Sequence, residues 1–340
     1  MKRSSILALI VSFSGLSMAS CGPSDFDPET LINSVRVMGS QASEPYAAPG
    51  DAVDLQVLAY DNRPQKSAPM KIYWLPVKCE NPTNDAYYGC FAAFASALRN
   101  PAALAGDAGA PIGCNPVGGD LTGCLPTGPS YRVTVPADAI TAHPAVQGAN
   151  NPYGLVIVFN MACAGHVQVV PRDSNNPQQV PISCFDDNGV QLTPDDYVFG
   201  YTRVYAYAKD GGAGTANTNP VISDVKINGQ IIDPHVGFVV QHSIDHVDVD
   251  IDIPDGTSEI TDQTDTNGAP LHEQIYASYY GTVGKMDDEV RVIYDPVQGA
   301  IDDHHTKFEP GDTPGDGFMW IVLHDNRDGA SWVQVPIHIQ

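Results

Sequence analysis

Seven cysteines pose the first chemical question: Cys21, Cys79, Cys90, Cys114, Cys124, Cys163 and Cys184. The last six have 10, 23, 9, 38 and 20 residues between successive positions. No C-x-x-C occurs, which argues against a thioredoxin-like redox site and against a zinc ribbon. Six is an even number, suited to structural disulfides in an oxidising compartment, and fifteen pairings are open to it. The short-loop set Cys79–Cys90, Cys114–Cys124 and Cys163–Cys184 is favoured, because each bridge staples a loop without crossing strands. Closing such a loop contributes roughly 3 kcal/mol through the entropy of the unfolded chain.

His242, His246, Asp248, Asp250 and Asp252 form a second candidate, for a cation. Read as a strand, Val247, Val249 and Ile251 face inward, while His246 and the three aspartates face out. Outward side chains two residues apart lie about 6.6 Å from each other along a strand. Calcium takes six to eight oxygens at about 2.4 Å, so one straight strand cannot converge them. A neighbouring loop has to contribute, and Asp262, Asp265 and Asn267 in TDQTDTNG are the available donors. Aligning Gly268 with the glycine of an EF-hand loop puts Gln263 first and Gln274 last, where acids belong, so that motif fails. A solvated acidic face is favoured, with a Ca2+-stabilised loop as the alternative.

Other catalytic patterns dissolve on inspection. Asp302-Asp303-His304-His305 reads as a surface turn, since neighbouring strand residues face opposite sides and both imidazoles would not reach one metal. His272-Glu273 starts an H-E-x-x-H, but position 276 is tyrosine. Ser223 and Lys226 make an S-x-x-K on a predicted strand, with neither S-D-N nor K-T-G beside it. The sequence has no G-x-S-x-G elbow, no P-loop and no Rossmann glycine motif. With 40 acids it singles out no carboxylate pair for glycoside hydrolysis. Tyr201, Tyr205 and Tyr207, with Tyr279 and Tyr280, offer faces for a sugar or peptide, although their alternation favours packing between strands. These residues predict a protein that binds or scaffolds and is not an enzyme.

The elements that carry them are short strands. Alternation marks 34–38, 53–60, 71–77, 131–136 and 198–209, and the apolar run 153–162 reads as a strand covered on both faces. Between the third and fourth lies an insertion, 79–128, with four cysteines and an alanine-rich patch at 91–104 suited to one short helix. Residues 210–220, DGGAGTANTNP, have no apolar run and read as a linker. Beyond it come strands at 221–227, 237–241, 247–253, 274–282, 289–295, 318–324 and 332–339, with an Asn228-Gly229 hairpin turn. A PGD turn before the second strand and Trp74 on the third make residues 31–209 resemble an immunoglobulin-like or fibronectin-like sandwich. The closing hairpin, PGDGFMWIVLHDNRDGASWVQVPIHI, resembles that of PKD-like bacterial domains, where an aromatic strand leads to a D-x-x-x-G turn and a last strand. The expected fold class is all-β, two immunoglobulin-like β-sandwich domains over 31–209 and 221–340.

The N-terminus supplies the address. Lys2 and Arg3 precede a short apolar run, Ile6 to Phe13, well below the roughly 20 residues of a spanning helix. Met18-Ala19-Ser20-Cys21 resembles a lipobox, with methionine where leucine is usual. The resemblance implies a signal peptide over 1–20, lipidation of Cys21 and a tether over 21–30. It leaves six cysteines to pair, whereas cleavage after Ala19 would leave an odd thiol. Gly22 stands where aspartate marks inner-membrane retention in the enteric pattern, so an outer-membrane location is expected. The whole chain resembles bacterial lipoproteins with tandem sandwich modules. That implies a membrane partner through the lipid and a protein or glycan partner of unspecified identity. Removing 1–20 takes away Lys2 and Arg3 and no acid, so 17 cations become 15 against 40 acids, a formal charge of −25. Such a surface repels nucleic acid.

Overall fold

The computed structural model describes residues 29–98, 119–145, 150–171, 175–176, 178–212 and 214–340. The predicted signal peptide, Cys21 and Cys114 lie outside the described residues. In chain order the first half runs β1 (Val35–Ala42), β2 (Tyr46–Ala47), β3 (Ala52–Asp61), β4 (Lys71–Trp74), β5 (Cys79–Glu80), α1 (Phe91–Ala97), β6 (Ser130–Thr134), α2 (Ala139–Ala142), β7 (Gly154–Cys163), β8 (His166–Val169), β9 (Ile182–Phe185) and β10 (Tyr197–Ala206). The second half runs β11 (Asp224–Ile227), β12 (Gln230–Ile232), β13 (Phe238–Val240), β14 (Val247–Asp252), β15 (Ile260–Thr264), β16 (Pro270–His272), β17 (Ile275–Gly281), β18 (Lys285–Met286), β19 (Val290–Asp295), β20 (Gly299–Ala300), β21 (Thr306–Glu309), β22 (Gly315–Asp325) and β23 (Ala330–Ile339).

Alternation builds the first sandwich. Along β3, Val53, Leu55 and Val57 point inward between polar neighbours. They pack from the antiparallel sheet β1-β3-β6 onto Trp74, Val156, Val158 and Val204 of the facing sheet β2-β10-β7-β4. Trp74 is fully buried, stacks on Tyr131 at 5.6 Å, and its indole N–H donates to the Gly128 carbonyl at 2.9 Å. β2 joins β10 in parallel at the sheet edge.

β7 has no exposed residue, as its unbroken apolar run predicts, and the reason is a third layer. Leu155, Ile157, Phe159 and Met161 on its outer side meet Phe91 and Phe94 of α1, and Val167 and Ile182 of the β8–β9 hairpin. Phe94 sits edge-on against Phe159 at 4.7 Å. The part of the cysteine-containing insertion that is described is therefore packed against the sheet. Cys79–Cys90 and Cys163–Cys184 are bridged, and Cys124 is disulfide-bonded too.

The second sandwich pairs sheets β12-β11-β14-β21-β18 and β13-β23-β22-β17-β19-β20. β13 runs parallel to β23, as β2 does to β10. Asn228 and Gly229 both take positive φ, 50° and 75°, the conformation a two-residue hairpin between β11 and β12 demands. The short strands β2, β5, β8, β9, β12, β15, β16, β18, β20 and β21 carry too little apolar alternation to be read from sequence.

No sheet draws strands from both sides of 210–220 among the described residues. That segment is nonetheless pinned. Asn219 donates to the Ala42 carbonyl at 2.7 Å and accepts from the Ala330 N–H at 3.0 Å. Asn217 is 5% exposed. A linker of glycine, asparagine and threonine reads as loose from composition, yet here its side chains are the fasteners.

Candidate functional site

The junction between the sandwiches gathers a cluster of buried polar side chains, among them Thr30, Asn217, Glu273, Asp325 and Arg327. Its apolar part is a small core of Ile32, Met38, Trp320 and Val322, with Tyr60, Tyr280, Phe318 and Trp332 around it. Gly39 eases this approach, since a Cβ there would lie 3.1 Å from Val322 Cγ1 and the valine would have to give way by a few tenths of an ångström. The chain threads the seam before it enters β1: Ile32 N–H donates to the Gly281 carbonyl and Gly281 N–H to the Thr30 carbonyl, both at 2.8 Å. Met286 N–H donates to Thr30 Oγ1 at 3.3 Å.

Its polar part centres on Arg327, in the turn between β22 and β23. The guanidinium reaches Glu273 (Nε, 2.6 Å), Glu259 (2.9 Å) and the Ala216 carbonyl (2.9 Å), and lies 5.3 Å from the centre of the Tyr46 ring. Asp325 shapes the turn by accepting the N–H groups of Arg327 and Gly329 at 2.7 and 2.8 Å. Glu273 is fully buried. Burial, joined by the charge of Asp325, pushes its carboxyl up to about 7. Arg327 opposes that shift, but one guanidinium is shared among several carboxylates and does not cancel it. Burial also raises Asp325. Nearby, Arg203 ties β10 to Asp328 of the second half at 3.3 Å.

Four tyrosines continue from Arg327 into the first sandwich. Tyr46 lies 4.8 Å from Tyr207 and 5.5 Å from Tyr205, and Tyr153 lies 5.7 Å from Tyr205. Burial holds the phenols of Tyr46, Tyr205 and Tyr153 well above their usual range, so they stay neutral donors. Tyr153 donates to Asp85 at 2.5 Å, and His143 Nε2 meets the other carboxylate oxygen at 2.9 Å. Asp85, Asn84 and Asn81 all adopt positive φ inside the loop closed by Cys79–Cys90. Each costs on the order of 1 kcal/mol, and the bridge and surrounding packing hold them there.

The predicted cation ligands are not brought together. On β14, Val247, Val249 and Ile251 face the core and the aspartates face out, as expected. Asp252 pairs with Lys226 at 2.6 Å, Asp250 with His304 at 3.0 Å, and Asp248 sits 3.8 Å from His246. Asp265 caps its own turn through the N–H groups of Asn267 and Ala269, both at 2.8 Å, and Asp262 lies on the separate β15–β16 hairpin. No group of three or more His, Cys, Asp or Glu side chains among the described residues is placed to hold a metal. The reason is geometric: alternation fans the aspartates along the strand, where Asp252 meets Lys226 and Asp250 meets His304, while Asp248 Oδ1 has no hydrogen-bond partner.

The five predicted tyrosines also divide. Tyr205 and Tyr207 join the junction. Tyr201 stacks on Tyr87 at 4.9 Å, and Tyr279 is buried in the second core. Sequence reasoning missed Tyr46, Tyr153, Asp85, His143, Asn217 and Arg327 as members of one place. The one local signal is the DNRDG turn, which by itself speaks only for fold.

No known protein family matches this chain, and no curated protein matches it. Among solved structures it is similar to dimeric latent PorU from Porphyromonas gingivalis, at 9% identity over 91% of this chain, with a TM-score of 0.22. The chain spans 24% of the length of that protein. It is also similar to the three N-terminal domains of the bacteriophage RB49 Highly Immunogenic Outer Capsid protein, at 10% identity over 90% of this chain and 99% of that one, with a TM-score of 0.18. At TM-scores this low neither likeness bears on activity.

Proposed function

We propose that this chain is a lipid-anchored protein of the cell envelope whose two immunoglobulin-like sandwiches act as one rigid binding or scaffolding unit, without catalysis. The strand order supports the immunoglobulin-like assignment. Each half has an edge strand paired in parallel with its last strand and a facing antiparallel sheet. The observation that carries the reading is the junction: an apolar seam, the Arg203–Asp328 ion pair and a pinned linker fix one sandwich against the other. Tandem domains joined loosely would expose polar surface and a free spacer between them. The lipobox-like Met18-Ala19-Ser20-Cys21 supplies the anchor, and the strongly acidic composition suits an exported surface. This reading does not call on calcium, since Asp250 and Asp252 of β14 are engaged by His304 and Lys226.

Fractionation of envelope tests the anchor. Wild-type protein partitions with the outer membrane, and Cys21→Ser moves it to the soluble fraction. Unchanged retention of the variant would sink the lipid assignment. A second reading, a glycan- or peptide-binding accessory protein, is favoured by the tyrosines collected at the junction.

A further inference from the structure

We propose that the outer edge of β23, at Trp332 and Gln334, takes an extended peptide as an added strand, one with aliphatic residues two apart and basic residues flanking them. The proposal rests on the binding-unit reading above and names the chemistry of the partner.

Register decides which backbone groups of β23 look outward. Asp325 N–H donates to the Gly329 carbonyl at 3.0 Å, so every second pair from that turn onward, Leu323 with Ser331 and Ile321 with Val333, bonds to β22. The N–H and C=O groups of the even-numbered residues therefore face away from β22. Ala330 meets Asn219 Oδ1 and Gln41 Nε2 there, and Gln340 meets the backbone of Val240 and His242. Pro336 has no N–H to offer, and β13 lies beside Ile337 to Ile339. Trp332 and Gln334 remain. Their four outward backbone groups have no hydrogen-bond partner among the described residues. From Ala330 to Ile337 this open edge runs about 20 Å, enough for a strand of about three or four residues.

The core shows the same gap from inside. Val335 and Ile337 of β23 are 0% and 2% exposed, whereas Val333, facing the same way, stays partly exposed, as do Ile222 and Ile232. A cleft of about 450 Å³ opens here, lined by Val221, Ile222, Ile232, Pro234, Trp332 and Val333 and of ordinary size for a ligand site. It is continuous with the seam between the sandwiches, since Trp332 packs on the junction core and Gln41 crosses from β1 to the Ala330 carbonyl at 2.6 Å. An alternating strand laid on the open edge turns one aliphatic face into this cleft. Charge names its flanks. Asp224 lines the cleft, and the exposed Asp233 stands between two of its lining residues, Ile232 and Pro234. Lys226 of β11 is already held by Asp252 at 2.6 Å. A lysine or arginine beside the aliphatic residues meets these carboxylates, whereas a second copy of this acidic chain would be repelled.

The test uses the full-length protein in detergent, with the acetylated and amidated peptide Lys-Lys-Val-Thr-Val-Thr-Lys as probe. In the free protein, amide exchange read residue by residue is faster at Trp332 and Gln334 than at Val333 and Val335. Equal protection at all four means that the edge is already paired, and overturns the proposal. The peptide binds with a Kd of about 1 mM or tighter and slows exchange at Trp332 and Gln334 about tenfold or more. Replacing both of its threonines by proline abolishes binding. Gln334→Pro, which removes one outward N–H and no bond to β22, also abolishes binding and leaves the melting temperature where it is. Asp224→Asn combined with Asp233→Asn weakens binding severalfold. Silence of the wild-type protein up to about 1 mM peptide, or binding that survives Gln334→Pro, ends the proposal. Dimers seen by light scattering and dissolved by Gln334→Pro would give the edge to a second copy instead. None of these results touches membrane retention through Cys21, so the anchor and the edge stand or fall separately.

Discussion

The two sandwiches share a plan and differ in how they are covered. In the first, α1 and the β8–β9 hairpin lie over one sheet, and β7 is buried on both faces along its whole length. In the second, β14 alternates buried and half-exposed residues, and the face bearing Asp248, Asp250 and Asp252 is open. Every cysteine from Cys79 to Cys184 lies in the first half, and none in the second. Cross-links and a third layer brace one module. The other relies on its apolar core and on the ion pairs of Arg327. Covering and stapling go together because a covering built from loops has little regular structure to hold it down.

The sharpest break with this comparison comes from the seam that both halves share. Trp320, 1% exposed, sits in the junction core, and Trp320→Ala should cost about 3–5 kcal/mol. Urea unfolding should show a single transition shifted as a whole. Two separate transitions in the wild-type protein would mean that the halves are independent. Next, replacing Cys163 and Cys184 by alanine removes a bridge worth roughly 3 kcal/mol. Hydrogen exchange should quicken more in β7 and β9, which gain local openings, than in β17 and β22, which feel only the shared global one; equal quickening in both halves would contradict the contrast.

Acidity separates the halves more gently. Glu273 titrates near 7 in the folded protein against 4.5 in an unfolded chain. Between those values the folded state keeps a proton that the unfolded state has lost. Its contribution is therefore full below about pH 4.5 and fades as the pH rises through 7. Glu273→Gln should flatten that slope in the melting temperature, and an unchanged slope would assign it elsewhere. The first half answers in the opposite direction. Against the effect of burial, the hydrogen bonds of Arg63 hold Asp61 below its usual range, and those of Thr193 and Arg63 do the same for Asp196. Their contribution is present above 3.8 and is lost as the pH falls below it. Smallest of all is the exposed pair of Arg132 and Asp54, whose side chains are 69% and 49% accessible. Arg132→Ala should leave the midpoint of the same urea transition essentially where it is.

Much of the fold was legible because strands with one wet face write their alternation into the chain. Val53-Asp54-Leu55-Gln56-Val57 and Val247 to Asp252 reveal both their conformation and their inward side. Asn228-Gly229 reveals a turn, and the run at 153–162 reveals a strand with no wet face. The layer that keeps it dry was hidden, since Phe91 and Phe94 stand in an alanine-rich stretch whose destination depends on distant contacts. The site was less legible still. Tyr46, Asn217 and Arg327 come from three distant segments, and no local pattern reports that they meet. Glu273 drew notice only through a motif that fails at Tyr276, whereas its burial is a property of the assembled junction. The aspartates of β14 show the converse, a cluster in sequence that the strand disperses in space.

The threading of Thr30, Leu31 and Ile32 along Gly281 has a mechanical meaning. Any tension arriving from the residues before Thr30 reaches the second sandwich before it reaches the first. Leu31 and Gly281 pair in parallel, so a pull along this segment drags its hydrogen bonds sideways and they must yield together. A leash fixed in that way would let the body be tugged without unravelling β1.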